Sequence, residues 1–146
     1  MKQSESELLT PPGSRRCFTV EQAESTLVLV RRVVRDIVQR HEQLMQLRDE
    51  IEVLGDVVAT QEKVADLRTR GRRLTDSLNQ LHDELSDIGC ELKDWTVGLV
   101  DFPAIHESRE VLLCWRLDEP SIRFWHELHD GFTGRRPVEA DFGAQS

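Results

Sequence analysis

The sequence contains no tyrosine, only 5% aromatic residues, and no uninterrupted apolar stretch of about 18 residues. The last of these lacks excludes a membrane-spanning helix, and the first two point to a helix-rich chain with a modest core. The opening stretch MKQSESELLTPPGSRRC has no apolar signal core, so secretion is not expected. Cysteine is scarce: Cys17, Cys90 and Cys114 are odd in number and in no C-x-x-C spacing. That argues against a disulfide framework or a zinc ribbon and for reduced thiols in a cytoplasm. There is no Gly-rich phosphate loop and no internal repeat beyond heptads. The net charge of −8 disfavours a general nucleic-acid binder, whose affinity comes mostly from Lys and Arg neutralising phosphates.

What is present is periodicity. The 146 residues suit one domain, or a compact lobe with an extended element. Residues 1–17, with Pro11-Pro12-Gly13 among polar residues, read as a disordered tail. Thr19 followed by Gln22 is a capping box, with Phe18 placed to staple against Ala23, so a helix is expected to start there. Ala23, Leu27, Val30, Val34, Ile37, His41, Leu44, Arg48 and Ile51 then recur at steps of four and three, the period of a coiled-coil seam. Extra apolar residues at Val28, Leu29, Val33 and Val38 imply a second contact surface near the helix start. Gly55-Asp56 interrupts, with Asp56 able to cap a second helix. That helix has its seam at Val57, Thr60, Val64, Leu67, Gly71, Leu74, Leu78, Leu81, Leu85 and Ile88, and Gly89 ends it. The short connection predicts a long antiparallel helical hairpin over 18–89, with His41 opposite Gly71.

The texture changes at Cys90. Residues 98–105 and 109–116 read as two strands joined through His106-Glu107-Ser108. Val111, Leu113 and Trp115 share one face of the second strand, and Leu112, Cys114 and Arg116 the other. Pro103 makes the first strand an edge or a bulged one. Asp118 to Ser121 supply cap residues for a short helix from about Ser121 to His129, broken by Gly131 and Gly134. The expected fold class is therefore mainly α (α+β): a long antiparallel hairpin plus a lobe over 90–138 made of a two-stranded β-hairpin and a short helix. Residues 139–146 read as a tail.

The segments FTVEQAESTL, GCELKDWTVGLVDFPA, LLCWRLDEPSIRFWHE and GFTGRRPV, in that order, resemble an uncharacterised bacterial family, domain of unknown function 2203. The resemblance runs from Phe18 to about Val138. It implies that Asp101, Phe102, Pro103, Trp115, Arg116, Trp125, His126, Glu127, Gly131, Phe132, Gly134 and Arg135 belong to the shared motifs, and it brings no activity with it. Two positions depart from the family pattern: Val28, where relatives often have proline, and His129, where an acidic or other residue is commoner.

The candidate chemistry sits in the lobe. His126 and His129 are three residues apart, and with Cys114, Asp101 or His106 nearby they are candidate ligands for a divalent metal; the plain alternative, which the pattern favours, is histidines solvated or hydrogen-bonded in the core and no cofactor. HELH is not HExxH, and the long helices hold no Glu-x-x-His, so neither a zincin nor a di-iron bundle is implied. For acid-base work His126 would need Asp101 or Glu127 as its orienting partner. Cys114 is a candidate nucleophile, although a cysteine in LLCWR reads equally as a small buried hydrophobe. Arg116, Arg123, Arg135 and Arg136 with Trp115 and Trp125 would suit an anion or a partner surface. The plain alternative is arginines stacked on tryptophan and paired with Asp or Glu. The arginines at 31–35 and 68–73 read as solvated helix faces, with docking of an acidic partner or RNA backbone as the alternative. A hairpin of two helices of about 30 residues each spans roughly 45 Å, longer than so small a lobe can cover. An exposed seam of that length favours a homo-oligomer or a helical protein partner, with the lobe as a recognition site, over the alternative of a metal- or anion-dependent enzyme or ligand-binding protein with a site around His126 and Arg116.

Overall fold

A computed structural model of the chain describes residues 16–55 and 61–142. The tail over 1–15, the last residues 143–146, the Asp56 cap and the seam positions Val57 and Thr60 lie outside the described residues. Two long helices, α1 (Val20–Gly55) and α2 (Gln61–Ile88), are followed by five strands and a short helix α3 (Val138–Phe142). The strands are β1 (Glu91–Asp94), β2 (Leu99–His106), β3 (Arg109–Arg116), β4 (Phe124–Glu127) and β5 (Arg136–Pro137), in one antiparallel sheet of order β1-β2-β3-β4-β5.

The capping box forms as expected. Thr19 N donates to Gln22 Oε1 and Gln22 N to Thr19 Oγ1, each at 3.0 Å. Phe18, buried just before the cap, stands edge-on to Phe102 at 5.4 Å. Its N–H donates to Pro103 O. β1 pairs β2 only as far as Asp101, so the edge of β2 at Pro103 is open to Phe18. A strand residue points its N–H and C=O to the same side, so the missing N–H of Pro103 is lost from this open edge and not from the ladder to β3.

Helix α2 ends at Gly89, with φ +112° and the Gly89 and Cys90 N–H groups both on Leu85 O. A side chain there would also meet the Phe18 ring at about 3.2 Å. The hairpin register differs from the expected one by about a turn. Gly71 faces Leu44 and Leu47, and Arg40 reaches Ser77. His41 instead joins His82 around Trp95, the latter ring stacked on His82 at 5.6 Å. These facing pairs are centred a few residues farther along the chain than the expected pairing of His41 with Gly71. Beyond Ile37 the buried position in α1 is Leu47, and Arg48 is exposed.

One core joins the inner sheet face, including Val100, Phe102, Val111, Leu113, Trp115 and Trp125, to the proximal halves of the helices. Val33, Val34 and Val38 meet this lobe, which is the second surface expected near the helix start, while Val28 and Leu29 point outward. The β1–β2 turn fits this junction because Gly98, at φ +77°, leaves no room for a side chain: a Cβ would sit 2.7 Å from Val34.

The lobe departs from expectation in its strands. It has five, where the sequence suggested two, and the expected helix over Ser121–His129 is absent. The middle of that segment is instead β4, paired to Val111–Cys114 of β3. Ile122, Trp125 and Leu128 fit a helical spacing, but an unpaired β3 edge would leave buried backbone groups without partners. β4 satisfies them and buries Trp125 and His126 on opposite faces. Residues 139–142, assigned to a tail by composition, complete α3. Its Phe142 is buried against His106 and Trp125, and Asp141 accepts from Trp125 Nε1 at 2.7 Å.

The β2–β3 turn is a two-residue connection with Glu107 and Ser108 at φ 52° and 66°. Side chains in that left-handed region cost about 1 kcal/mol each relative to glycine. Ser108→Gly is therefore expected to stabilise the protein by about 1 kcal/mol, read as a higher urea midpoint at unchanged slope. An equal or lower midpoint would contradict the turn assignment.

Candidate functional site

Alternation along three neighbouring strands brings three chemically capable side chains together on the outer sheet face, away from the helices. Asp101 of β2 pairs with Cys114 of β3, and His126 of β4 pairs with Leu112, two residues from Cys114 on the same face. Asp101, Cys114 and His126 are all buried, at 2%, 0% and 2% exposure. His126 Nε2 lies 3.2 Å from Asp101 Oδ1, and Nδ1 lies 2.7 Å from the Glu127 carbonyl. The three candidate donor atoms are within 4.8 Å of one another.

A carbonyl only accepts, so Nδ1 must carry a hydrogen. Nε2 then faces a carboxylate and, when no metal is bound, needs a proton of its own to donate. Burial works against the charged imidazole. The hydrogen bond to Asp101, with those to Cys114 and the Glu127 carbonyl, outweighs it and holds the ring's pKa up at about 10. Burial pushes the Cys114 thiol above its ordinary value, and the His126 hydrogen bond offsets only part of that.

The other candidate residues fall elsewhere. Glu127, adjacent in a strand to His126, points to the opposite face, where Arg109 holds it in a two-pronged ion pair. The Arg109 hydrogen bonds hold its carboxyl below the usual range. His129 is exposed beyond β4 and outside the three-residue cluster. His106 is buried on the inner face, stacked with Phe142 at 4.4 Å. The cluster thus keeps one of the two histidines of the HELH stretch.

The arginines divide. Arg135 pairs with Glu119 at 2.6 Å, donates to the Cys114 carbonyl, and lies over Phe124 and Phe132. Arg116 pairs with Asp118 and covers the same Phe132 ring. Arg123 is exposed, and Arg136 lies over Trp125. The first two are engaged with acids and aromatic rings. Trp115 and Trp125 belong to the core, Trp115 Nε1 donating to the Glu119 carbonyl. Two pairings escape sequence reading, Arg109–Glu127 and Arg135–Glu119, because each joins segments 16 or more residues apart. A list of complementary charges in the lobe is the only signal for them.

In metal-free protein the sign of the pH dependence follows from His126. Its pKa is raised over the ordinary 6.5, so its stabilising contribution is complete below about 6.5 and is lost as pH rises through about 10. NMR of the His126 ring is expected to show the doubly protonated form throughout pH ~6 to ~8. A midpoint near the ordinary value would contradict the buried pair.

A family model described as an uncharacterized conserved protein (DUF2203) matches residues 16–138. No curated protein and no solved structure is a match to the chain.

Proposed function

The chain belongs to the uncharacterized conserved protein family DUF2203, and we propose that it works as an assembly module: two copies associate through the distal halves of their hairpins and present the sheet lobes as recognition surfaces. The uneven cover of the hairpin carries this reading. The proximal halves of α1 and α2 are buried against the sheet, whereas beyond His41 and before Leu74 the only fully buried apolar residues described are Leu47 and Leu67. Leu44, Ile51, Leu54, Val64 and Leu74 are half-buried. Grooves run along both sides of this arm, one lined by Gln43, Leu47, Glu50, Arg70, Arg73 and Leu74, the other including Leu44, Ile51, Arg68 and Arg72. Two helices alone give such residues half a core, and a second pair completes a four-helix arrangement.

Charge favours a second copy as occupant. Distal α1 carries Glu42, Asp49, Glu50 and Glu52 against the single base Arg48, while distal α2 carries Lys63, Arg68, Arg70, Arg72 and Arg73 against Glu62 and Asp66. A two-fold axis sets the acidic stretch of each copy against the basic stretch of the other. The buried thiols of Cys90 and Cys114 form no disulfide, in keeping with a reducing cytoplasm as the setting.

Light scattering and sedimentation equilibrium at tens of micromolar are expected to give twice the chain mass. The doubly reversed variant Arg70→Glu with Arg73→Glu should weaken association by about tenfold or more at unchanged helicity, and high salt should act the same way. A wild-type monomer at those concentrations would overturn the proposal.

A further inference from the structure

We propose that Asp101, Cys114 and His126 form a site for one divalent transition-metal ion of the zinc type, on the outer face of the sheet beside the Phe132–Arg135 turn. The donors are a carboxylate oxygen, a thiolate sulfur and an imidazole nitrogen, the set that suits zinc. They come from three adjacent strands in register, so the backbone fixes their spacing. Around a tetrahedral zinc, ligand atoms lie about 3.3–3.8 Å apart, from bond lengths of about 2.0–2.3 Å. Here one pair is at 3.2 Å and all three atoms lie within 4.8 Å, so small side-chain rotations close the set.

Two further observations point to a ligand. His126 Nδ1 is committed to the Glu127 carbonyl, the arrangement that fixes the tautomer and aims Nε2 in metal-binding histidines. Nε2 faces Asp101, where a bare lone pair is untenable and either a proton or a cation must stand. The charges also match: carboxylate, thiolate and neutral imidazole together balance a divalent ion. The nearby guanidinium of Arg135 is compensated by Glu119. Binding breaks the N–H bond at His126 Nε2 and the S–H bond at Cys114, releases both protons, and forms three metal bonds without any change of oxidation state. Three protein donors leave the fourth tetrahedral position for water or a small anionic ligand. Because every donor is buried, loading is expected during folding or on slow opening of the face.

The test is to unfold the full, untagged chain in chelator, refold it with one equivalent of Co²⁺, and record the spectrum. Thiolate-to-cobalt charge transfer in the near ultraviolet, intense visible bands of tetrahedral cobalt and displacement of both by Zn²⁺ are expected. Refolding with the ion should release about two more protons per chain at neutral pH than refolding without it, and zinc should raise the melting temperature. Cys17→Ser should retain all of these, whereas Cys114→Ser and Asp101→Asn should lose the charge-transfer band and at least about tenfold in affinity, respectively. Should Cys114→Ser fail to refold, Asp101→Asn and the proton count decide. Absence of the band in the wild type, its persistence in Cys114→Ser, its loss in Cys17→Ser, or no proton release would each overturn the site and leave a plain imidazolium–carboxylate pair.

Discussion

The alternation of Trp125 and His126 along β4 is the constraint on which the lobe depends. A strand of four residues sends one aromatic ring into the core and the next ring to the outer face, and both are buried. On the inner side Trp125 gathers His106, Phe142 and the Asp141 carboxylate, so α3 is tied down by the same residue that seals the core. On the outer side His126 reaches across β3 to Asp101, linking the fourth strand to the second. A helix at this position would separate neighbouring side chains by about 100° and give neither set of contacts.

The second organising feature is a mismatch of size. A sheet whose longest strands have eight residues cannot cover helices of 36 and 28 residues. The core therefore ends near Ile37, with Trp95 wedged between His41 and His82 where the sheet runs out. Beyond that point the hairpin is an amphipathic arm with charged flanks of opposite sign on its two helices. The lobe is held to the arm's base by polar ties as well as by packing: Glu24 accepts from Ile122 N, and Arg31 donates to the Pro120 carbonyl and covers Trp115.

The parts of this architecture legible in the sequence are those written locally. Thr19 and Gln22 mark a helix start, Gly89 marks an end, and the alternation of Val111, Leu113 and Trp115 names the inner face of β3, because each signal spans a few residues. β4 is not legible in the same way. Over four residues the spacing of Ile122, Trp125 and Leu128 is as helical as it is extended, and what decides it is pairing with β3 across a loop. The helical reading draws His129, three residues on, toward His126, whereas the strand turns it away and sends Glu127 to Arg109 on the other face. Asp101, Cys114 and His126 are each recognisable as chemically capable, but their meeting depends on the register of three strands. The His41 register is off for a similar reason, since it rests on where an unmarked turn is centred.

A buried polar cluster reaching across three strands makes one claim above the others, that His126 and Asp101 act as a unit. A double-mutant cycle of Asp101→Asn and His126→Gln, measured by urea unfolding of chelator-treated protein near neutral pH, tests it directly. Each single change leaves a buried charge without its partner, so the two effects are expected to be strongly non-additive, with a coupling of about 1–3 kcal/mol. Additive losses, to within about 0.5 kcal/mol, would contradict the account.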